Sequence, residues 1–229
     1  MAFLTDNFNS YNGGGIDAAV ALHGQGGWLA GTGTFPDGFW VTTNYEPEGG
    51  FIWEGAKGVY QWSPISSGHT EAVRRDLTFP ADGSQSFQVG HSAFDSGCAF
   101  AIEVEMGVYG GSPMIGVSIR ADDTTDYVPL AFYRDALGEM VPFAYADIPE
   151  TWYTIQIEWR SSDSKVRYNI FPLGSSGMWT DWVARIAGTP IDFFIGAWST
   201  ETDVTVWWDN FVGTGEAVAA NFITGNKYW

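Results

Sequence analysis

The chain has 229 residues, enough for one domain that buries roughly 70 to 75% of its unfolded surface, and its single cysteine excludes an internal disulfide framework. With 27 acidic against 10 basic residues the formal charge is −17, which repels a phosphate backbone, so nucleic acid is excluded as a partner. No segment carries eighteen uninterrupted apolar residues, and membrane insertion by a helix is not expected.

Met1 to Asp6 has neither the basic region nor the apolar stretch of a signal peptide, and the expectation is a chain that starts without a leader. Residues 9 to 97 are broken repeatedly by glycine, proline and aromatics, so short strands joined by long loops are predicted there. Long loops commonly carry function, and a binding surface is expected in this half.

From residue 98 onward, alternation with period two takes over. Cys98 to Tyr109 places Phe100, Ile102, Val104, Met106 and Val108 on one face and Ala101, Glu103, Glu105 and Gly107 on the other. Strands follow at Met114 to Arg120 and Tyr127 to Tyr133, and Arg134 to Met140 is predicted as a short helix. Trp152 to Arg160 and Lys165 to Phe171 read as strands joined by a short polar link, hence as an antiparallel hairpin. Ile191 to Trp198 and Val204 to Phe211 complete the strands, and Gly215 to Phe222 is predicted as a second short helix.

Strand signals at both ends argue that first and last strands lie side by side and close one domain. The organisation expected is an all-β, single antiparallel two-sheet sandwich over residues 1–213. Residues 214–229 form a C-terminal tail packing on the sandwich or on a neighbouring subunit.

Twelve tryptophans, ten tyrosines and sixteen phenylalanines, 17% of the chain, exceed what a core requires. Indoles suit interfaces and sugar-stacking platforms, where a flat ring meets the apolar side of a sugar and amides or carboxylates take its hydroxyls. Trp28, Trp40, Trp53 and Trp62, with Asn44, Glu46 and Gln61, are the candidate glycan-binding group. Asp122, Asp123 and Asp126 are the candidate calcium ligands, because calcium takes six to eight oxygens and these acids share one loop. No other cofactor is expected. Phe222, Ile223, Tyr228 and Trp229 are the candidate subunit contact. His23, His69 and His91 lack zinc-type spacing, and Cys98 reads as an inert thiol. Asp209 and Asn210 are expected to hydrogen-bond the edge near Asp6 and Asn7.

Three sets of residues carry a resemblance: Asp6-Asn7-Phe8-Asn9-Ser10-Tyr11 with Gly24-Gln25-Gly26-Gly27-Trp28; Trp152 to Ile157 with Val166 to Ile170; and Trp208-Asp209-Asn210-Phe211. Together they resemble the concanavalin A-like lectin/glucanase jelly-roll superfamily, in particular its laminin-G-like branch and phage virion surface-type members. The resemblance implies a jelly roll that binds glycans, cleaves polysaccharides or serves on a virion surface. The glucanase branch uses carboxylates at alternate positions of one strand. Glu103 and Glu105 match the start of that pattern, about 6.6 to 6.8 Å apart along a strand, but Gly107 stands where a third carboxylate belongs. The expectation is therefore a non-enzymatic virion surface protein, a capsid decoration, head fibre or tail-associated part with glycan adhesion. Its partners are other virion proteins, copies of itself and cell-surface glycans. The alternative is an extracellular carbohydrate-binding lectin module, calcium dependent, and after it a glycan-cleaving enzyme.

Overall fold

A computed structural model of the protein describes residues 4–14, 20–22, 24–30, 39–43, 57–62, 71–77, 79–91, 100–107, 113–121, 130–143, 153–172, 176–199 and 205–215. Every regular element among them is a strand. In chain order these are β1 (Val20–Ala21), β2 (Trp28–Ala30), β3 (Phe39–Thr42), β4 (Gly58–Trp62), β5 (Glu71–Asp76), β6 (Asp82–His91), β7 (Phe100–Gly107) and β8 (Ile115–Ala121). After them come β9 (Leu130–Arg134), β10 (Met140–Phe143), β11 (Tyr153–Arg160), β12 (Lys165–Pro172), β13 (Val183–Ala184), β14 (Asp192–Ser199) and β15 (Thr205–Thr214). They form an eight-stranded sheet, β1-β3-β4-β15-β6-β11-β12-β13, and a seven-stranded sheet, β10-β9-β8-β7-β14-β5-β2.

All pairings are antiparallel, and the expected hairpin is present, with Arg160 opposite Lys165. The period-two pattern determines which sides meet. On β11, Tyr153, Ile155, Ile157 and Trp159 are buried while the residues between them are half-buried, and on β7 Ile102, Val104 and Met106 enter the same core. Burying a large apolar side chain stabilises by about 1.5 to 3 kcal/mol, so a core of some thirty such residues holds the two sheets face to face.

Arg134 to Met140, predicted as a helix, is instead the β9–β10 hairpin, with Arg134 opposite Met140. Asp135 explains the difference. Its carboxylate accepts from the backbone N–H of Leu137 and Glu139 at 2.8 and 2.9 Å, and Gly138 takes a φ of 84°, which ends the turn in the left-handed region. The predicted helix at Gly215 to Phe222 lies outside the described residues apart from Gly215, as do Cys98, His23 and His69; the rest of the 214–229 tail lies outside them too.

First and last segments do lie side by side. Asp6 and Phe211 exchange both backbone hydrogen bonds at 2.8 Å, beyond the point where β4 stops pairing with β15 at Trp208. Phe211 makes the backbone bridge, at a bulge between Asp209 and Val212 that inserts one residue and turns Phe211 into the core. Asn210 adopts a φ of 51° there, and the carboxylate of Asp209 accepts from its N–H at 2.7 Å. Gly213 lets this happen: a Cβ there would sit 2.7 Å from the Leu4 carbonyl oxygen.

The side chain of Asp6 completes the seal. It accepts from the Phe8 backbone N–H at 3.0 Å, the Tyr11 hydroxyl, the Trp28 indole N–H at 3.2 Å and Arg75 Nη1 at 3.0 Å. Burial, and then the Asp6 carboxylate, keep the Tyr11 hydroxyl protonated well above the ordinary phenol value. The glycine motif serves the same end. Gly24, Gly26 and Gly27 all have positive φ, and a Cβ on Gly26 would collide with the Tyr11 ring. Gln25 pins the turn by accepting from the Asn12 N–H at 2.7 Å and donating to the Ala21 carbonyl at 2.8 Å. Asp6→Ala is expected to cost about 2 to 4 kcal/mol in urea denaturation, since it strands two buried donors, the half-buried Tyr11 hydroxyl and a partly buried arginine. Tyr11→Phe, which removes one donor and leaves the others paired, is expected to cost about 1 kcal/mol.

Candidate functional site

The seal decides the fate of two predicted glycan ligands. Trp28 is fully buried with its N–H committed to Asp6, in edge-to-face contact with Phe193 and Phe211. Gln61 is equally buried, and its Nε2 crosses the core to donate to the Ala197 carbonyl of the other sheet at 3.1 Å. Both are core residues, because each indole or amide hydrogen found a buried acceptor that local sequence does not reveal.

Trp40 fares better. It lies half-buried on the outer face of the eight-stranded sheet, opposite Tyr60, which is in turn opposite Trp207. Trp62 belongs to the same strand as Tyr60, whereas Trp53 and Asn44 lie outside the described residues. So do Glu46, the proposed calcium ligands Asp122, Asp123 and Asp126, and the proposed contact residues Phe222, Ile223, Tyr228 and Trp229. Among the described residues, no group of three or more His, Cys, Asp or Glu is arranged to hold a metal ion, and His91 is buried in the sandwich.

The outer face of the seven-stranded sheet is the more developed surface. Glu103 and Glu105 share it, as the alternation requires, with Val104 and Met106 turned into the core. In register beside Glu103 stand Ser118 and Gly196, and beside Glu105 stand Gly116 and Phe194. Both carboxylates are half-buried on this face. Each is taken by an arginine of the same sheet, Glu103 by Arg120 Nη2 of the adjacent β8 at 2.7 Å and Glu105 by Arg134 Nη2 of β9, one strand further, at 2.6 Å.

The two arginines are themselves held. Arg120 donates from Nε to the Ser118 hydroxyl at 2.7 Å and lies 6.0 Å from the Phe132 ring centre, while Arg134 donates to the Gly138 carbonyl at 2.6 Å, fixed by the β9–β10 turn. Burial raises the Glu105 carboxyl above its ordinary value, and Arg134 offsets only part of that. Two paired carboxylates, two oriented guanidiniums and a ring offer planar donors and acceptors for sugar hydroxyls, a chemistry of recognition. Arg120 and Arg134 were missed as site residues because their pairing depends on the β7–β8–β9 register rather than on sequence spacing.

No protein-family model matches the chain. No curated protein matches it either. Solved structures do. A carbohydrate esterase from the Shiga toxin-encoding bacteriophage phi24B superimposes with a TM-score of 0.60 at 11% identity, covering 94% of this chain and 99% of that one. The CBM2 module of the evolved Dit protein of Lactobacillus casei BL23 phage J-1 gives 0.54 at 11% identity, covering 93% and 96%. Peanut lectin gives 0.53 at 10% identity, covering 93% and 98%. The chain spans 43% of the receptor-binding domain of botulinum neurotoxin type G, with a TM-score of 0.49. At these identities the likeness is one of fold, and the fold of this chain is the concanavalin A-like jelly-roll sandwich.

Proposed function

We propose that this protein is a phage-associated carbohydrate-binding module, non-catalytic and carried on the virion surface, where it adheres to cell-surface glycans. The observation that carries the binding part is the outer face of the seven-stranded sheet, where Glu103 and Glu105 are each neutralised by a fixed arginine beside Phe132. Retaining hydrolysis needs one carboxylate free to attack and another free to deliver a proton, roughly 5 Å apart. Carboxylates engaged by guanidiniums are poor at both tasks and well suited to accepting sugar hydroxyls.

The virion part is supported by the full-length likeness to two phage proteins, one a module of a phage Dit and the other a phage carbohydrate esterase. A free lectin is the second reading, favoured by the equally complete likeness to peanut lectin. Among the described residues no helix is long and apolar enough to cross a membrane.

Copies of the chain per purified particle, counted by quantitative mass spectrometry against the major shell protein, separate these readings. Hundreds indicate decoration and a few indicate a fibre or tail part, whereas absence from particles overturns the virion assignment. Phe132→Ala is expected to weaken polysaccharide binding roughly tenfold by removing the ring. Reducing ends released by the wild type and lost in Glu105→Gln would overturn the non-catalytic reading.

Glu105 also leaves a pH signature. Its folded carboxyl is raised above its unfolded value, so the unfolded state loses its proton first as pH rises. The stability Glu105 contributes is full below the ordinary carboxylate range and is lost as pH climbs through the raised value. Glu105→Gln is expected to flatten that limb of a stability-against-pH curve measured by urea midpoints.

A further inference from the structure

On the opposite side of the sandwich, the eight-stranded sheet ends in a cluster that the sequence reading did not single out. The β11–β12 hairpin puts Glu158 opposite Arg167 and Arg160 opposite Lys165. The returning chain runs along the free edge of β12, where Thr180 N–H donates to the Tyr168 carbonyl at 2.8 Å and Ala184 pairs with Lys165. That path lays Trp179 and Trp182 against the hairpin's arginines. The guanidinium carbon of Arg167 lies 4.6 Å from the Trp179 ring centre and 4.8 Å from that of Trp182, and Arg160 lies 3.9 Å from Trp182.

We infer that this indole–guanidinium ladder is a second carbohydrate platform, specific for neutral sugars and independent of the seven-stranded face. Three observations carry the inference. Both indoles are half-exposed, and neither indole N–H makes a hydrogen bond among the described residues. Trp179 ends the ladder with Arg167 as its one stacking partner among those residues. The rings are held rigid before any ligand arrives, because Arg167 Nε is fixed by Glu158 at 2.7 Å and Arg160 Nη2 by Asp163 at 2.6 Å, and a preorganised ring loses little freedom on binding.

Charge selects the ligand class. Each guanidinium already has its carboxylate, and the chain as a whole carries −17, so a polyanion gains nothing here and is repelled at a distance. A neutral sugar ring meets an indole with its apolar side and finds acceptors for its hydroxyls in Glu158, Asp163 and the exposed Asp181. With a platform on each outer face, a single domain engages two stretches of polysaccharide, and avidity rises without an oligomer.

The test is affinity gel electrophoresis of the full chain through gels containing galactomannan, xyloglucan or mixed-linkage β-glucan, with alginate and heparin gels alongside. Retardation is expected in at least one neutral gel and in neither polyanion gel. Trp179→Ala is expected to weaken it on the order of tenfold, and Trp179→Phe, which keeps a ring, by less than about threefold. Circular dichroism melting checks that both variants fold. Should Trp179→Ala fail to fold, the indole N–H resonances of the wild type decide the matter: titration with an oligosaccharide of the retarding polymer shifts those of Trp179 and Trp182. Retardation only by polyanions, no retardation in any gel, retardation unchanged in folded Trp179→Ala, or unmoved indole resonances overturns the inference.

Discussion

One buried carboxylate ties this sandwich shut. Asp6 sits beside β15 of the eight-stranded sheet through its backbone, while its side chain takes the indole N–H of Trp28 on β2 and the guanidinium of Arg75 on β5, both of the seven-stranded sheet. A charge in that position is costly unless each oxygen is satisfied, and here four donors converge on it. The surrounding rings of Phe8, Trp28, Phe87, Phe193 and Phe211 pack at centroid distances of 5.4 to 6.4 Å. The N-terminal segment, the glycine turn and the two sheets therefore meet at a single residue.

With both inner faces committed to the core, chemistry is left to the outer ones, and there the arginines are the organising groups. The chain has seven, and six of them pair with acids: Arg74 with Asp192, Arg75 with Asp6, Arg120 with Glu103, Arg134 with Glu105, Arg160 with Asp163 and Arg167 with Glu158. Arg185 donates to the Ile186 and Gly188 carbonyls instead. Guanidiniums arranged in this way are fixed hydrogen-bonding planes rather than a positive field. In an acidic chain whose arginines are engaged in this way, the electrostatic attraction for any polyanion is weak.

How much of this was legible depends on the distance over which each interaction is set. The strands β7, β8, β9, β11, β12, β14 and β15 were readable because burial of alternate residues is a local pattern, as Tyr153, Ile155, Ile157 and Trp159 demonstrate, whereas the short β10 and two-residue β13 were not read as strands. The closure of the two ends was readable as well. The Asp135 turn was misread as a helix, although an acid three residues ahead of a glycine is turn chemistry. Trp28 and Gln61 were misplaced for another reason: their acceptors, Asp6 and the Ala197 carbonyl, lie 22 and 136 residues away. The Glu103 and Glu105 face was found, but its arginines were not, since Arg134 is 29 residues from Glu105 and reaches it through the register of three strands.

The ladder of Trp179, Arg167, Trp182 and Arg160 has an obvious structural use, because β13 is an edge strand and bulky, charged side chains at an edge discourage pairing with another chain. Edge protection accounts for the arginines and their acids. It does not account for two tryptophans. Lysine or a proline would guard the edge without exposing apolar rings or leaving indole N–H groups without a hydrogen bond. Two large rings held only partly buried beside ion-paired arginines incur a solvation cost that edge protection alone does not require, and a ligand with an apolar face offsets that cost.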